Sequence, residues 1–325
     1  MRKYHGMRIL ILCFCILISV SGCSVFRQTK TCTTFSDASR NVSFVSGSEL
    51  NSMGIVLDNR EFLQCDYEGN VMNDVVFDTD ISFLDMWGYY VLIGFEDNHI
   101  EIYYMDSDET QKLCEYSFDN EVSQVELTGY SGLCRVTVLL SNGELLTNYE
   151  DDLTKLRRIA KDVNSFSYNH SSIMYVNKNR DLMLYSYYGN EFLSEEMQNL
   201  HDVINVDAIS FANKQDNDFQ FVIYREDGTY FAKCNYFDSG NYTYTVSAKK
   251  EGLEDYYIAK WGAQSVVYHQ NGSLYYEGPT HDQRRIRGYD KARLKISIPE
   301  GYEIHVVCGG VVYYNEHEVK TMLIN

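Results

Sequence analysis

Residues Ile258–Gly278 read IAKWGAQSVVYHQNGSLYYEG, and the order of parts in this stretch recurs along the chain. A strand-like run leads into a glycine-containing loop. A second run ends at Tyr268, Asn271-Gly272 forms a tight turn, and a third run follows. Asn-Gly suits a two-residue type I′ hairpin because both residues tolerate positive φ. The same order appears in VLIGFEDNHIEIYY with its turn at Asp97-Asn98, and in VTVLLSNGELL at Asn142-Gly143. IMYVNKNRDLMLY turns near Asn179-Arg180 and FVIYREDGTYF at Asp227-Gly228. Weaker copies turn at Asn59-Arg60 and Glu316-His317.

The first apolar residue after each turn is Phe62, Ile100, Leu145, Leu182, Tyr230, Leu274 and Val319. Their mean spacing is about 43 residues, the length of a four-stranded propeller blade. An isolated hairpin buries too little apolar surface to stand alone. Radial stacking of blades buries both faces of each sheet, which accounts for runs such as YYVLIGF (89–95) that are apolar on two sides. Only two prolines interrupt a chain holding 28 tyrosines, a composition favouring strands. The expected fold is therefore all-β, a seven-bladed β-propeller over residues 41–325, with a two-sheet sandwich or a solenoid as the rival architectures. Glu191–Leu200 is the one stretch expected to form a short helix. Val319 lies too near Asn325 for a complete last blade, so NVSFVS (41–46) is expected to supply the missing strand and close the ring.

Ile258–Gly278 also resembles the regulator-of-chromosome-condensation repeat. Ala259, Gly262, Ser265, Asn271-Gly272 and Leu274-Tyr275 match its Ala-x-Gly loop, serine, turn and Leu-Tyr strand. Elsewhere the turn and the strand after it match, but the family's closing Trp-Gly-x-Asn and Gly-Gln-Leu-Gly stretch is missing throughout. The resemblance implies a seven-bladed ring that binds proteins. It carries over no functional residue, because the family's sites lie in loops that this chain does not share.

The N-terminus has a separate logic. Arg2, Lys3 and Arg8 precede Ile9–Val20, which carries no formal charge. As a helix this run spans roughly 18 Å, short of the ~30 Å hydrocarbon core. A basic start, a short apolar run and small residues describe a secretory signal peptide, residues 1–22. Val20-Ser21-Gly22-Cys23 resembles the lipobox of bacterial lipoproteins, and this implies cleavage before Cys23 and lipidation of its sulfur. Residues 23–40 read as a lipidated N-terminus and flexible tether, placing the protein on the outer side of a bacterial membrane through its lipid anchor. The four Asn-x-Ser/Thr sequons (Asn41, Asn169, Asn241, Asn271) are then expected to be idle.

The formal charge is −18. Loss of residues 1–22 would bring it near −21, which argues against nucleic acid, whose phosphates require Lys and Arg. Six cysteines remain after Cys23: Cys32, Cys65, Cys114, Cys134, Cys234 and Cys308. Their wide spacing within apolar runs suits single buried thiols better than a disulfide framework. No Cys/His pairing has zinc-ligand spacing, and no nucleophile elbow, P-loop or dinucleotide fingerprint occurs, so no catalytic residue, metal or cofactor is assigned. Acidic clusters at Asp78-x-Asp80, Asp106-x-Asp108-Glu109, Asp151-Asp152 and Asp216-x-Asp218 lack calcium-loop spacing and read as turn carboxylates.

Trp87-Gly88-Tyr89 and Trp261-Gly262 fall at equivalent places in their units, with Tyr130, His170 and Cys308-Gly309-Gly310 at similar places in others. Equivalent propeller loops share one face, so Trp87, Tyr89, Tyr130, His170 and Trp261 form the candidate binding rim. Tyr and Trp offer large contact area at low entropy cost. A competing role for each Trp is to plug the gap between blades. The resulting expectation is a non-enzymatic binding or scaffold module for an envelope protein or wall glycan. The alternative is an extracytoplasmic polysaccharide hydrolase or lyase using the channel, which would require carboxylates and a histidine to converge at one channel mouth.

Overall fold

The computed structural model describes residues 29–47, 52–106, 109–130, 133–149, 152–169, 171–213, 217–238, 241–247, 253–258, 265–280, 292–307 and 309–325. Strand β1 (Thr29–Ser36) comes first in the chain. Blade 1 follows with β2 (Val42–Gly47), β3 (Ser52–Leu57), β4 (Glu61–Asp66) and β5 (Val71–Val76). Blade 2 is β6 (Ile81–Trp87), β7 (Tyr90–Phe95), β8 (His99–Met105) and β9 (Thr110–Ser117). Blade 3 is β10 (Val122–Tyr130), β11 (Leu133–Leu140), β12 (Leu145–Tyr149) and β13 (Asp152–Ala160). Blade 4 has β14 (Val163–Tyr168), β15 (Ser172–Asn177) and β16 (Leu182–Ser186). After β17 (Glu191–Leu193) and helix α1 (Glu195–Gln198), blade 5 runs β18 (Val203–Asn213), β19 (Asn217–Arg225), β20 (Gly228–Asp238) and β21 (Asn241–Ser247). Blade 6 is β22 (Leu253–Ile258), β23 (Val266–Gln270), β24 (Ser273–Gly278) and β25 (Ala292–Ile296). Blade 7 is β26 (Glu303–Val307), β27 (Gly310–Tyr314) and β28 (Glu318–Ile324).

Each blade is a meander whose consecutive strands pair antiparallel, and around the centre first strands of successive blades touch, β26 with β2, β2 with β6, β6 with β10, β10 with β14, β14 with β18 and β22 with β26. The seven-bladed β-propeller expected from the spacing is the architecture found. Apolar burial follows the same plan. Seven buried clusters occupy the seven interfaces between neighbouring blades. In β7, Val91 and Ile93 face blade 1 while Leu92 faces blade 3, and all three are fully buried. Period-two alternation between two apolar interfaces is why this strand carries no polar face.

The turns behave largely as read. Asn271 and Gly272 take φ of 52° and 68°, both positive, and the flanking residues Gln270 and Ser273 pair. Around Asn59-Arg60 the left-handed residues are instead Asp58 (49°) and Asn59 (61°), one position earlier. Asn98, Gly143 and Arg180 each supply a single positive φ.

Ring closure differs from the expectation. The fourth strand of blade 7 is β1, paired antiparallel with β28 from Thr29↔Ile324 to Ser36↔Glu318, and the Thr34 and Thr321 hydroxyls meet at 2.9 Å. Asn41–Ser46 instead provides the innermost strand of blade 1, with Val42 and Val45 buried. The Ser- and Thr-rich segment assigned to the tether therefore holds an outermost strand from Thr29 onward. Such a strand needs few apolar residues, because one of its edges and much of its surface face water. The helix is also shorter than Glu191–Leu200. Glu191–Leu193 is extended, and α1 begins after Ser194, whose hydroxyl accepts the Met197 N–H at 3.3 Å. Met197 and Leu200 plug the interface of blades 4 and 5.

Candidate functional site

The innermost strands share a local pattern that the turn-based spacing did not expose. VSFVS (42–46), ISFLD (81–85), VSQVE (122–126), VNSFS (163–167) and VINVD (203–207) each begin with Val or Ile and carry an apolar residue fourth and a polar residue fifth. The first residue is buried in all five. Pairing with the second strand slips immediately after it, between Val42/Phe44, Ile81/Phe83, Val122/Gln124, Val163/Ser165 and Val203/Asn205. A bulge of this kind re-aims the side chains that follow it.

The re-aimed fifth residues latch blade to blade. Asp85 Oδ2 accepts the Leu127 N–H at 2.8 Å, and Oδ1 accepts the Met86 N–H at 2.7 Å. Glu126 Oε2 accepts the Tyr168 N–H at 3.0 Å, and Ser167 Oγ accepts the Ala208 N–H at 2.8 Å. His305 Nε2 accepts the Gly47 N–H at 2.9 Å and so joins blade 7 to blade 1. In each case the donor is the sixth residue of the next blade's innermost strand. Burial raises the Asp207 carboxyl above its ordinary value, with a Tyr224 hydrogen bond opposing it. The fifth-position carboxylates of these five strands, Asp85, Glu126 and Asp207, are thus spread over blades 2, 3 and 5, and two of the three hold backbone amides of a neighbouring blade. Among the described residues no group of three or more His, Cys, Asp or Glu could hold a metal ion.

A second set of latches ties one face of the disc. The Ile81 N–H donates to Asn59 C=O at 2.6 Å, Val163 to Gly143 at 3.1 Å, Val203 to Arg180 at 3.0 Å and Val42 to Glu316 at 2.7 Å. In the first three the acceptor is a left-handed residue of a second-to-third-strand turn. That face is committed to holding the ring together. The opposite face carries the first-to-second and third-to-fourth strand connections, where blade-to-blade bonds run through side chains, from Asn73 Nδ2 to Asp106 C=O at 3.0 Å and from Asn169 Nδ2 to the Tyr244 hydroxyl at 3.0 Å.

The described members of the candidate rim, Trp87, Tyr89 and Tyr130, lie at first-to-second-strand connections on that opposite face. Trp87 and Tyr90 pair across a two-residue turn, Gly88-Tyr89, in which Gly88 supplies φ of 59°. Trp87 and Tyr90 stack at 5.9 Å and 21°. Tyr90 meets Tyr104 edge-on at 5.7 Å, and Tyr104 meets Tyr89 at 5.7 Å. Tyr89 is 39% exposed. Burial raises the Tyr90 phenol above its ordinary value, keeping it neutral. Trp87 is half-buried and packs against the cluster between blades 2 and 3, so the plugging role applies to it at least in part. Its indole N–H is buried without a partner among the described residues.

Tyr130 ends β10, with its Cα paired to Leu133 beside the same type of connection. His170, Trp261, Cys308 and Cys23 lie outside the described residues. Tyr90 and Tyr104 were not singled out from sequence. Tyr104 sits on the third strand, where only the fold brings it beside the turn. Cys32, Cys65, Cys114, Cys134 and Cys234 are free thiols. Among the acidic clusters, Asp106 accepts the Glu109 N–H and Asp152 the Thr154 N–H, as turn carboxylates do.

No protein-family model and no curated protein matches the chain. Solved structures do resemble it. The β-propeller domain of Cps50 (Swd1) from Myceliophteria thermophila matches with a TM-score of 0.59 and 10% identity, over 91% of this chain and 100% of that one. Prp20p from Saccharomyces cerevisiae, a protein studied for its binding to Gsp1p and histones, gives 0.56 and 10% over 87% and 83%. Human WBSCR16 gives 0.53 and 10% over 89% and 88%. At such identity the likeness establishes the fold, a seven-bladed β-propeller.

Proposed function

We propose that the protein is a non-enzymatic binding scaffold, held by lipid at Cys23 on the outer side of a bacterial membrane, with repeats of the regulator-of-chromosome-condensation type. One observation carries the binding role. The contiguous rings of Trp87, Tyr89, Tyr90 and Tyr104 lie on the face opposite the backbone latches of the second-to-third-strand turns. Large, rigid aromatic side chains with a polar tip are what protein-binding hot spots use. The likeness to Prp20p, which binds other proteins, favours a protein partner, and an envelope protein suits a chain anchored at Cys23. Stacked tyrosines also fit the faces of wall sugars, which makes a glycan the second partner class. The charge of −18 speaks against nucleic acid. The Asp85 and Glu126 carboxylates are engaged by backbone amides, and this supports a structural duty for the inner ring in place of hydrolysis.

The test is capture of detergent-solubilised envelope by the full chain, with mass spectrometry of what is retained, in parallel with wall polysaccharide. Tyr89→Ala should weaken capture at least about tenfold, the size of a modest aromatic hot spot, while leaving the circular dichroism spectrum unchanged. Equal capture by Tyr89→Ala and the unaltered chain would remove the rim from the reading. Labelling with radioactive palmitate, abolished by Cys23→Ala, tests the anchor.

A further inference from the structure

Blade 4 is the incomplete one. Among the described residues its sheet has three strands, because β17 leaves it and pairs in parallel with β21 of blade 5, Glu191↔Tyr242 through Leu193↔Tyr244. Among the described residues no strand pairs with the outer edge of β16. Asn177 N–H donates to Asp181 C=O, and Tyr187 N–H to Ser171 C=O, which fixes the alternation of the antiparallel ladder between them. Met183 and Tyr185 therefore bond inward to β15, and Leu182, Leu184 and Ser186 turn their N–H groups to the edge. Beside that edge lies a cavity of about 500 Å³, a volume typical of ligand sites. Met183, Leu184, Phe192 and Leu193 line it with Asp181 and Glu191, and Met183 and Phe192 are 39% and 49% exposed.

Sequence around the ring marks this edge as different. Exposed edge strands are normally protected from pairing by charge or by cover. Here β1 carries Lys30, β5 Asp74, β9 Lys112 and Glu115, β13 Lys155 and Arg157, and β25 Arg293 and Lys295. The uncharged β21 is covered by β17. LMLYS in β16 carries no charge, and among the described residues no strand pairs along its outer edge.

We propose that blade 4 is completed in trans by an extended segment of a cationic protein partner, which pairs antiparallel along Leu182–Ser186, places apolar side chains in the cavity and sets a Lys or Arg against Glu191. Strand addition of this kind draws affinity from main-chain hydrogen bonds and specificity from pockets for alternate side chains. Charge selects the occupant. Glu191 Oε2 takes the Ser172 and Tyr244 hydroxyls, and the Ser171 side chain bonds to the same carboxylate, which lines the cavity. Glu195 and Glu196 are exposed on α1 just beyond. A second copy of this chain, at −18, would bring like charge to an acidic groove. The edge shares no residue with the aromatic rim, so failure of either assignment leaves the other standing.

The probe is the capped peptide Lys-Val-Lys-Val-Lys-Val, added to the full chain in detergent, with amide exchange at residues 182–186 read by mass spectrometry. Exchange should slow on peptide addition. N-methylation of two alternate peptide amides should weaken the effect at least about tenfold, as expected for two lost hydrogen bonds. Glu191→Gln should weaken it several-fold, with the fold's circular dichroism retained. Absence of slowing up to about 1 mM peptide, the range of very weak binding, would overturn the proposal. Equal action of the N-methylated peptide or of its Glu-for-Lys counterpart would also do so. Protection of 182–186 that rises with protein concentration in the absence of peptide would assign the edge to a second copy and equally overturn it.

Discussion

Asp85→Ala isolates the latch between blades 2 and 3. Its carboxylate is 3% exposed, and its two oxygens each accept one backbone N–H, from Met86 and Leu127. Leu127 is fully buried and Met86 nearly so, so water does not readily replace the lost acceptor. Each orphaned buried donor costs about 1–3 kcal/mol, and alanine leaves two. The expected loss is therefore about 2–6 kcal/mol, a large share of the 5–15 kcal/mol that a typical folded domain possesses. Asp85→Asn retains one acceptor oxygen and turns an NH₂ group toward the other amide, so it should recover at most about half of the loss. Urea denaturation of the full chain followed by near-ultraviolet circular dichroism measures the change, and Ser123→Ala, at an exposed site in the neighbouring inner strand, serves as the control. A loss below about 0.5 kcal/mol with an unchanged urea slope would refute the latch, since ordinary surface substitutions already reach that size.

Gly47→Ala should destabilise by about 1–3 kcal/mol through overpacking, because the new Cβ would meet Val307 Cγ1 at 2.4 Å across the junction of blades 7 and 1; thermal melting checks this, and an unchanged midpoint would show that the junction can open. Burial pushes the Cys65 thiol up to about 11, so a maleimide at pH 8 should leave it unmodified in the folded chain and label it after denaturation. Glu191 carries a pH dependence of definite sign. Burial raises its carboxyl above the ordinary value, so the folded chain holds that proton more tightly than the unfolded one. The stability this contributes is fully present below about pH 4.3 and is lost as pH rises through the folded pKa. Glu191→Gln should accordingly gain stability relative to the unaltered chain as pH rises across that window, and a difference that shrinks with pH would reverse the assignment. Deleting residues 1–36 removes β1 and bares the β28 edge, which should cause concentration-dependent association visible by light scattering.

Much of the architecture was legible because it is written in local chemistry. Turn residues that tolerate positive φ, placed about one blade length apart, fix hairpins wherever they occur, and runs such as YYVLIGF require apolar neighbours on both faces. The free thiols at Cys65 and Cys134 follow from the same burial. The closing strand was misread because an outermost strand asks little of its sequence. Thr29–Ser36 looks like a tether, and Asn41–Ser46, apolar enough to pair anywhere, carries the inner-strand signature that marks it for blade 1.

The rim was half visible. Trp87 and Tyr89 stand at a turn whose repeat position the sequence displays, while Tyr104 joins them only through cross-strand pairing with Tyr90. The blade latches were encoded in the recurring fifth-position Ser, Asp or Glu, but a lone polar residue in a strand does not say which amide it will hold. Sequence by itself determined the strands, their turns and the number of blades, since each depends on neighbours a few residues apart. Tertiary structure alone decided how the ring closes, which carboxylates serve it and which sheet edge is left unpaired among the described residues, because those outcomes depend on pairings between residues such as Thr29 and Ile324 that only the closed circle brings together.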